Sequence, residues 1–93
     1  MKKIITDFAK KVYKAVLTIP LGQVRTYKWV AEKAGCPSAC RAVGQVLKNN
    51  PYPLIIPCHR VVESNGKLGG YIWGKNSKKV ILDLERQLRN LML

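Results

Sequence analysis

Residues 26 to 48, TYKWVAEKAGCPSACRAVGQVLK, decide the fold. Thr26 is an acceptable N-cap and Gly35 a natural C-terminal stop, so one short helix is bracketed between them. Ser38 then stands as the cap of a second helix, Ala39-Cys40-Arg41-Ala42-Val43-Gly44-Gln45-Val46-Leu47, reaching about Lys48. Helix, tight glycine-containing turn and helix outline a helix-turn-helix unit.

Upstream, residues 4 to 18 read as a helix, with Phe8, Val12, Ala15, Val16 and Ile19 at near-helical spacing. Pro20 and Gly22 end it. Downstream, Pro51, Pro53 and Pro57 forbid a regular helix and impose a stiff, extended segment. Between those prolines, Leu54-Ile55-Ile56 is expected to be buried. Val61-Val62 running into Ser64-Asn65-Gly66-Lys67 reads as a strand entering an Asn-Gly hairpin turn. Gly69-Gly70-Tyr71-Ile72-Trp73-Gly74 is a flexible loop with two large rings. A last helix from about Asn76 to the end places Val80, Ile81, Leu84, Leu88 and Leu91 on its core stripe. The expected fold is mostly α, a compact, winged-helix-like helix-turn-helix domain with a small β-hairpin and a C-terminal helix.

A chain of 93 residues supports one domain with one modest core. Its hydrophobic share of 47% argues against wholesale disorder. Seventeen Lys and Arg face five acids, Asp7, Glu32, Glu63, Asp83 and Glu85, leaving a formal charge of +12. A field of that sign on so small a body draws in a polyanion, which points to nucleic acid. A solvated basic surface is the bland alternative. An anionic membrane fits less well, because no long amphipathic stretch sets lysines beside exposed aromatics. No apolar run approaches the ~20 residues that span a bilayer, and the polar start does not read as a secretory signal. The odd count of cysteines, Cys36, Cys40 and Cys58, argues against a secreted disulfide framework. An intracellular, cytoplasmic protein is expected.

Pro57-Cys58-His59-Arg60 carries the chemistry. Cys58 ends a proline-stiffened segment, so its backbone is held. A nucleophilic cysteine needs a base or positive charge nearby, and His59 and Arg60 are candidates. Sequence neighbours often point apart, so a buried structural cysteine stands as the other reading. Cys36, Cys40, Cys58 and His59 match no common zinc spacing, and zinc would silence a nucleophile, so no metal is expected. Glu85 also has two readings. It either pairs with Arg89 one turn later or turns inward between Ile81 and Leu88.

Pro57-Cys58-His59-Arg60-Val61-Val62 resembles the active-site signature of the O6-alkylguanine-DNA alkyltransferases. Arg41-Ala42-Val43-Gly44, Asn50-Pro51 and the proline-flanked apolar run follow the family's order and spacing. Tyr27 sits in the Thr-Tyr pair that opens the helix-turn-helix, and residues 70–74 resemble the substrate-side loop. The resemblance covers roughly residues 7 to 86. It implies repair of duplex DNA carrying O6-alkylguanine, by one irreversible transfer of the alkyl group to Cys58, without a cofactor and as a monomer. His59 would take the thiol proton through a water, and Glu85 would hold and polarise His59. Asn50 would fix the loop between the recognition helix and the cysteine. Arg41 would enter the duplex as a finger and Tyr27 would press on the backbone during base flipping. Ala42, Gly44, Lys28 and Lys48 complete the implied DNA contacts. The amides of Val61 and Ile72 with the Cys58 carbonyl would read the base, helped by Pro53, Tyr71 and Trp73.

Two positions depart from the family pattern. Ile72 stands where relatives often have Ser or Arg, and Lys28 where a neutral residue is common. The family's usual N-terminal domain is also expected to be absent, leaving residues 1–93 as a single catalytic and DNA-binding unit. Three rival readings remain. Alkyltransferase-like proteins bind the lesion but lack the acceptor cysteine. A plain helix-turn-helix regulator leaves the Pro-Cys-His-Arg segment unexplained. A cysteine hydrolase would need an oxyanion site that nothing suggests.

Overall fold

The computed structural model describes residues 6–93. Helix α1 spans Asp7–Leu17 and is capped by Thr6, whose side chain accepts from the Ala9 amide. The expected start at residues 4 and 5 lies outside the described residues. Strand β1, Arg25–Thr26, leads directly into α2, Tyr27–Lys33. Thr26 caps α2 as its residue type predicts, accepting from the Trp29 amide at 3.0 Å. Gly35 follows at φ +82°. The Cys36 amide bonds the Ala31 carbonyl and the Gly35 amide the Glu32 carbonyl, a Schellman stop that favours glycine.

Helix α3 spans Cys40–Lys48. Its N-cap is Ala39, with no side-chain cap, so Ser38 does not serve as expected. The Ala39 amide instead bonds the Cys36 carbonyl, and that turn delays the helix beyond Ser38. Val12, Val16 and Ile19 beside α1's end, Val30 and Ala31 of α2, and Val43 and Leu47 of α3 form the core. Tyr13 fastens α1 to α3 by donating its hydroxyl to the Val46 carbonyl.

After α3 the proline-rich segment does avoid helix, but it does not bury its apolar run. Ile56 is buried, whereas Leu54 is 50% and Ile55 75% exposed. Leu54 adopts φ +72°, which turns the chain so that only Ile56 points inward. A 3-10 turn, Cys58–Arg60, follows and passes into strand β2, Val61–Val62. The expected hairpin does not form. The Asn-Gly turn is present, with the Glu63 amide bonding the Lys67 carbonyl, but no strand returns from it. β2 instead pairs in parallel with β1, Arg25 opposite Val61 and Thr26 opposite Val62. That pairing sets the mouth of α2 beside the cysteine turn.

Helix α4, Lys75–Met92, also corrects the expectation. Val80, Leu84, Leu88 and Leu91 face outward, while Lys78 and Leu82 are buried and Ile81, Glu85 and Arg89 half-buried. The inward face therefore recurs at 78, 82, 85 and 89, a regular helical face that includes three charged residues. Two of them, Lys78 and Glu85, find specific polar partners inside, described below, and those partners fix the rotation of the helix. Among the described residues no helix is long and apolar enough to cross a membrane.

Candidate active site

Cys58 opens the 3-10 turn and is buried, packed into the same core as Val43 and Leu47. Its amide bonds the Ile56 carbonyl at 2.7 Å, and the Arg60 amide bonds the Pro57 carbonyl at 2.9 Å. The backbone around the thiol is therefore fixed from both sides. A cavity of about 550 Å³ opens beside it, lined by Tyr27, Gly44, Leu47, Lys48, Cys58, Gly70, Tyr71 and Ile72. That volume falls in the range of small-molecule sites, ~300–1,000 Å³. One wall is α3, whose first turn carries the exposed Arg41 and Ala42. An exposed surface carrying Arg41 and the wall facing the thiol thus belong to one helix.

Asn50 is buried just past α3 and acts as a brace. Its side-chain amide donates to the Ile56 carbonyl at 2.9 Å, and its oxygen accepts from the Tyr52 amide at 2.9 Å. Burial pushes the Cys58 thiol above its ordinary range, while the Asn50 side chain and the Lys78 charge pull it down without overcoming burial. The resting thiol is therefore protonated at neutral pH.

His59 is buried with Nε2 3.0 Å from Glu85 Oε2. The ring is not aligned for a straight hydrogen bond to that oxygen, and Nδ1 has no hydrogen-bond partner among the described residues. Burial lowers the His59 pKa, and the nearby Glu85 carboxylate only partly opposes it, so the ring is neutral and able to accept a proton. Glu85 pairs inward rather than with Arg89. Burial alone would raise it, but the Arg60 fork, with the neighbouring His59 ring, outweighs that and holds the carboxyl below its usual range.

Tyr27 and Tyr71 bring two phenols to the cavity. Burial first, then the charges of Cys58 and Glu85, pushes Tyr71 up to about 12. Burial, followed by Glu63 and Cys58, also raises Tyr27. Both hydroxyls therefore stay protonated and can donate. The Tyr71 hydroxyl is buried with no partner among the described residues.

Other expected members sit elsewhere. Trp73 is half exposed and outside the cavity wall, stacked edge-on against Tyr71 at 5.8 Å. Pro53 lies in the bridge with Ile56, also outside the wall. The Val61 amide bonds the Cys58 carbonyl, which keeps a second lone pair free to accept. Ile72 and the exposed Lys48 do line the cavity, while Lys28 is exposed outside its wall. Cys36 and Cys40 are free, and Cys40 packs against the core.

Lys78 is the residue that sequence reasoning missed. It is fully buried, and its ammonium donates to the carbonyls of Val61 at 2.6 Å, Gly70 at 3.2 Å, and Leu68. It also lies 6.0 Å from the Tyr27 ring centre. One side chain thus ties β2 to the loop that carries Tyr71. A signal was available, because Lys78, Leu82 and Glu85 share one helical face.

Gly69 at φ +75° packs against Tyr27, where an added Cβ would stand 2.9 Å from the hydroxyl oxygen. Gly69→Ala is expected to displace Tyr27 and cost about 1–3 kcal/mol in combined strain and overpacking. Thermal unfolding and the near-ultraviolet signal of the tyrosines would register it; an unchanged melting temperature would contradict the close packing.

A helix-turn-helix wall, a buried cysteine with a neutral histidine beside it and two phenol donors thus meet around one cavity. The chain belongs to the 6-O-methylguanine DNA methyltransferase family, whose DNA-binding-domain model matches residues 7–87. It is 52% identical over 80 residues to a methylated-DNA–protein-cysteine methyltransferase of Methanosarcina barkeri, covering 86% of this chain and 51% of that protein. It resembles the Mycobacterium tuberculosis OGT solved in complex with DNA, with TM-score 0.86 and 49% identity over 88% of this chain and 50% of that one. S. pombe Atl1, solved with damaged DNA containing O6-carboxymethylguanine, is similar at TM-score 0.76 and 36% identity, over 91% of this chain and 79% of that one. The chain spans about half the length of the curated relatives it matches.

Proposed function

We propose that this unit corresponds to the catalytic, C-terminal part of the alkyltransferases and repairs O6-alkylguanine in duplex DNA by a single transfer to Cys58. Residues 1–93 would serve together as the catalytic and DNA-binding unit, acting as a monomer on cytoplasmic DNA. The observation that carries the reading is the Cys58 thiol in the wall of a cavity that α3 shares with the DNA-facing surface.

An alkyl carbon on O6 of a stacked guanine is shielded, so the base must leave the duplex. Arg41, exposed on the first turn of α3, is suited to fill the gap, offsetting part of the few kcal/mol of lost stacking. Ala42 and Gly44 keep that helix small against the groove, Lys28 and Lys48 meet phosphates, and Tyr27 presses on the flipped nucleotide. In the cavity the Cys58 sulfur attacks the alkyl carbon as the bond from that carbon to O6 breaks. The thiol proton passes through a water to His59, which Glu85 orients. The leaving oxygen takes the electron pair, phenol donation from Tyr71 or Tyr27 stabilises the guanine anion, and the proton held by His59 passes back through water to that anion, leaving guanine and a neutral ring. The thioether product does not hydrolyse, so each chain acts once. Asn50 serves by bracing the cysteine segment, and the loop of Ile72 and Trp73 closes the alkyl side.

Lesion binding without transfer is the second reading, favoured by the likeness to Atl1. The two separate on the fate of the DNA. Duplex carrying O6-methylguanine, incubated with excess protein and no added cofactor, then digested to nucleosides, should show the lesion replaced by guanine. Lesion recovered intact from a tight complex would establish the binding-only reading.

A further inference from the structure

Arg60 is the one charged side chain of the cysteine turn to which the proposed reaction gives no task. Its guanidinium forks onto Glu85, Nε to Oε1 at 3.0 Å and Nη2 to Oε2 at 2.6 Å. Its remaining nitrogen, Nη1, donates to the Ile19 carbonyl at 2.8 Å, just past α1. Both Arg60 and Glu85 are mostly buried. The same Oε2 that receives Arg60 lies 3.0 Å from His59 Nε2. One carboxylate oxygen is thus shared between a permanent cation and the ring expected to accept a proton.

We propose that Arg60 is a positioning residue for the transfer, one that fixes the Glu85 carboxylate and shares its charge so that His59 stays oriented and neutral.

A planar fork meeting both oxygens sets the plane of the carboxylate as well as its place, which a single-point ammonium does not. The Ile19 carbonyl holds the guanidinium from behind, so α1, the cysteine turn and α4 meet at this one group. The charge matters as much as the geometry. The charged groups acting on His59 are Glu85 and Lys78 from α4 and Arg60 from its own turn, with the Tyr71 ring packed edge-on at 6.1 Å. Of these only Glu85 favours the imidazolium; Arg60 and Lys78 oppose it. Without Arg60 the carboxylate would act on His59 alone, and the ring would hold a proton to higher pH.

This inference rests on the proposed transfer chemistry, but its first readout does not. His59 is the chain's one histidine, so its ring protons can be followed by NMR without ambiguity. In the full chain, Arg60→Met should move the His59 titration midpoint upward by about one unit or more, the usual scale for an altered neighbouring charge. Arg60→Lys, which keeps the charge but loses the fork, should move it less and in the same direction. It also provides the reading if Arg60→Met does not fold. The acid limb of the rate of methyl transfer from O6-methylguanine duplex should shift upward in parallel. A His59 midpoint unmoved in a folded variant, or a transfer rate that rises as the ring becomes protonated, would overturn the proposal. A wild type with no transfer at any pH would remove the function proposed above and leave the NMR comparison to judge whether Arg60 governs His59.

Discussion

Lys78→Met is expected to lower stability by about 2–4 kcal/mol, a large part of the ~5–15 kcal/mol that holds a typical domain folded. The methionine fills similar space but donates nothing. The Val61 carbonyl, in the core, loses its ammonium donor, and the Leu68 and Gly70 carbonyls lose the link that draws their loop onto β2. Removing a buried charge recovers some desolvation cost, which keeps the net loss below the sum of three charge-assisted bonds. For a domain of this size the melting temperature should fall by about 10–25 °C. Transfer should slow more than tenfold in the folded fraction, since the loop positions Tyr71. A shift of under about 3 °C would show that the three carbonyls are served otherwise.

Lys78 also has a pH signature. Burial depresses its pKa to about 8, below the 10.5 of an ordinary lysine. Between those values the unfolded chain binds more protons than the folded one, so this group makes stability rise with pH. The penalty for burying the charge is present in full below about 8 and is relieved as the pH rises through that window. The wild type should therefore show a more positive slope of stability against pH from about 8 to 10.5 than Lys78→Met does.

Cys58→Ser is the second large effect. The hydroxyl is nearly the size of the thiol and sits in the same fixed turn, so the fold should survive with a change of about 1 kcal/mol or less. Methyl transfer should vanish, because an alkoxide is far harder to form than a thiolate and the hydroxyl is a poor nucleophile at this carbon. Lesion-selective binding in a gel-shift titration should persist, as Arg41, Tyr27 and the cavity wall remain. Residual transfer by the serine variant, at any rate within tenfold of wild type, would place the acceptor elsewhere.

The parts of the fold that were legible in the chain are those fixed locally. Thr26 and Gly35 bracket α2 through bonds spanning only a few residues, and both act as their residue types predict. The hairpin was not legible, because the Asn-Gly turn is local but the partner of Val61-Val62 is Arg25-Thr26, far upstream. The rotation of α4 was misread for a related reason. Counting apolar residues points Leu84, Leu88 and Leu91 inward, yet the carbonyls near Lys78 and the Arg60–His59 pair near Glu85 decide the matter. Leu54 and Ile55 turned outward because a left-handed residue bends the segment, and nothing in an apolar run announces that.

The candidate site was legible where it rests on a contiguous motif and hidden where it is assembled by folding. Cys58, His59 and Asn50 do come together around one segment, and Tyr27, Tyr71 and Ile72 reach the same cavity. Trp73 and Pro53 lie outside its wall, and the Val61 amide is engaged by the Cys58 carbonyl. Arg60 looked like a charge beside the thiol, whereas its guanidinium turns away to Glu85 and the end of α1. Adjacent residues in a tight turn point in different directions, so only the structure could divide their roles.

The central claim is that Cys58 itself takes the alkyl group. Intact-mass measurement after mixing the chain with a slight excess of O6-methylguanine duplex, followed by peptide mapping, tests it most directly. A gain of one methyl group per chain is expected, no more with further substrate, located on the Cys58 peptide. An unchanged mass while the lesion is bound, or a methyl group mapped to Cys36 or Cys40, would contradict it.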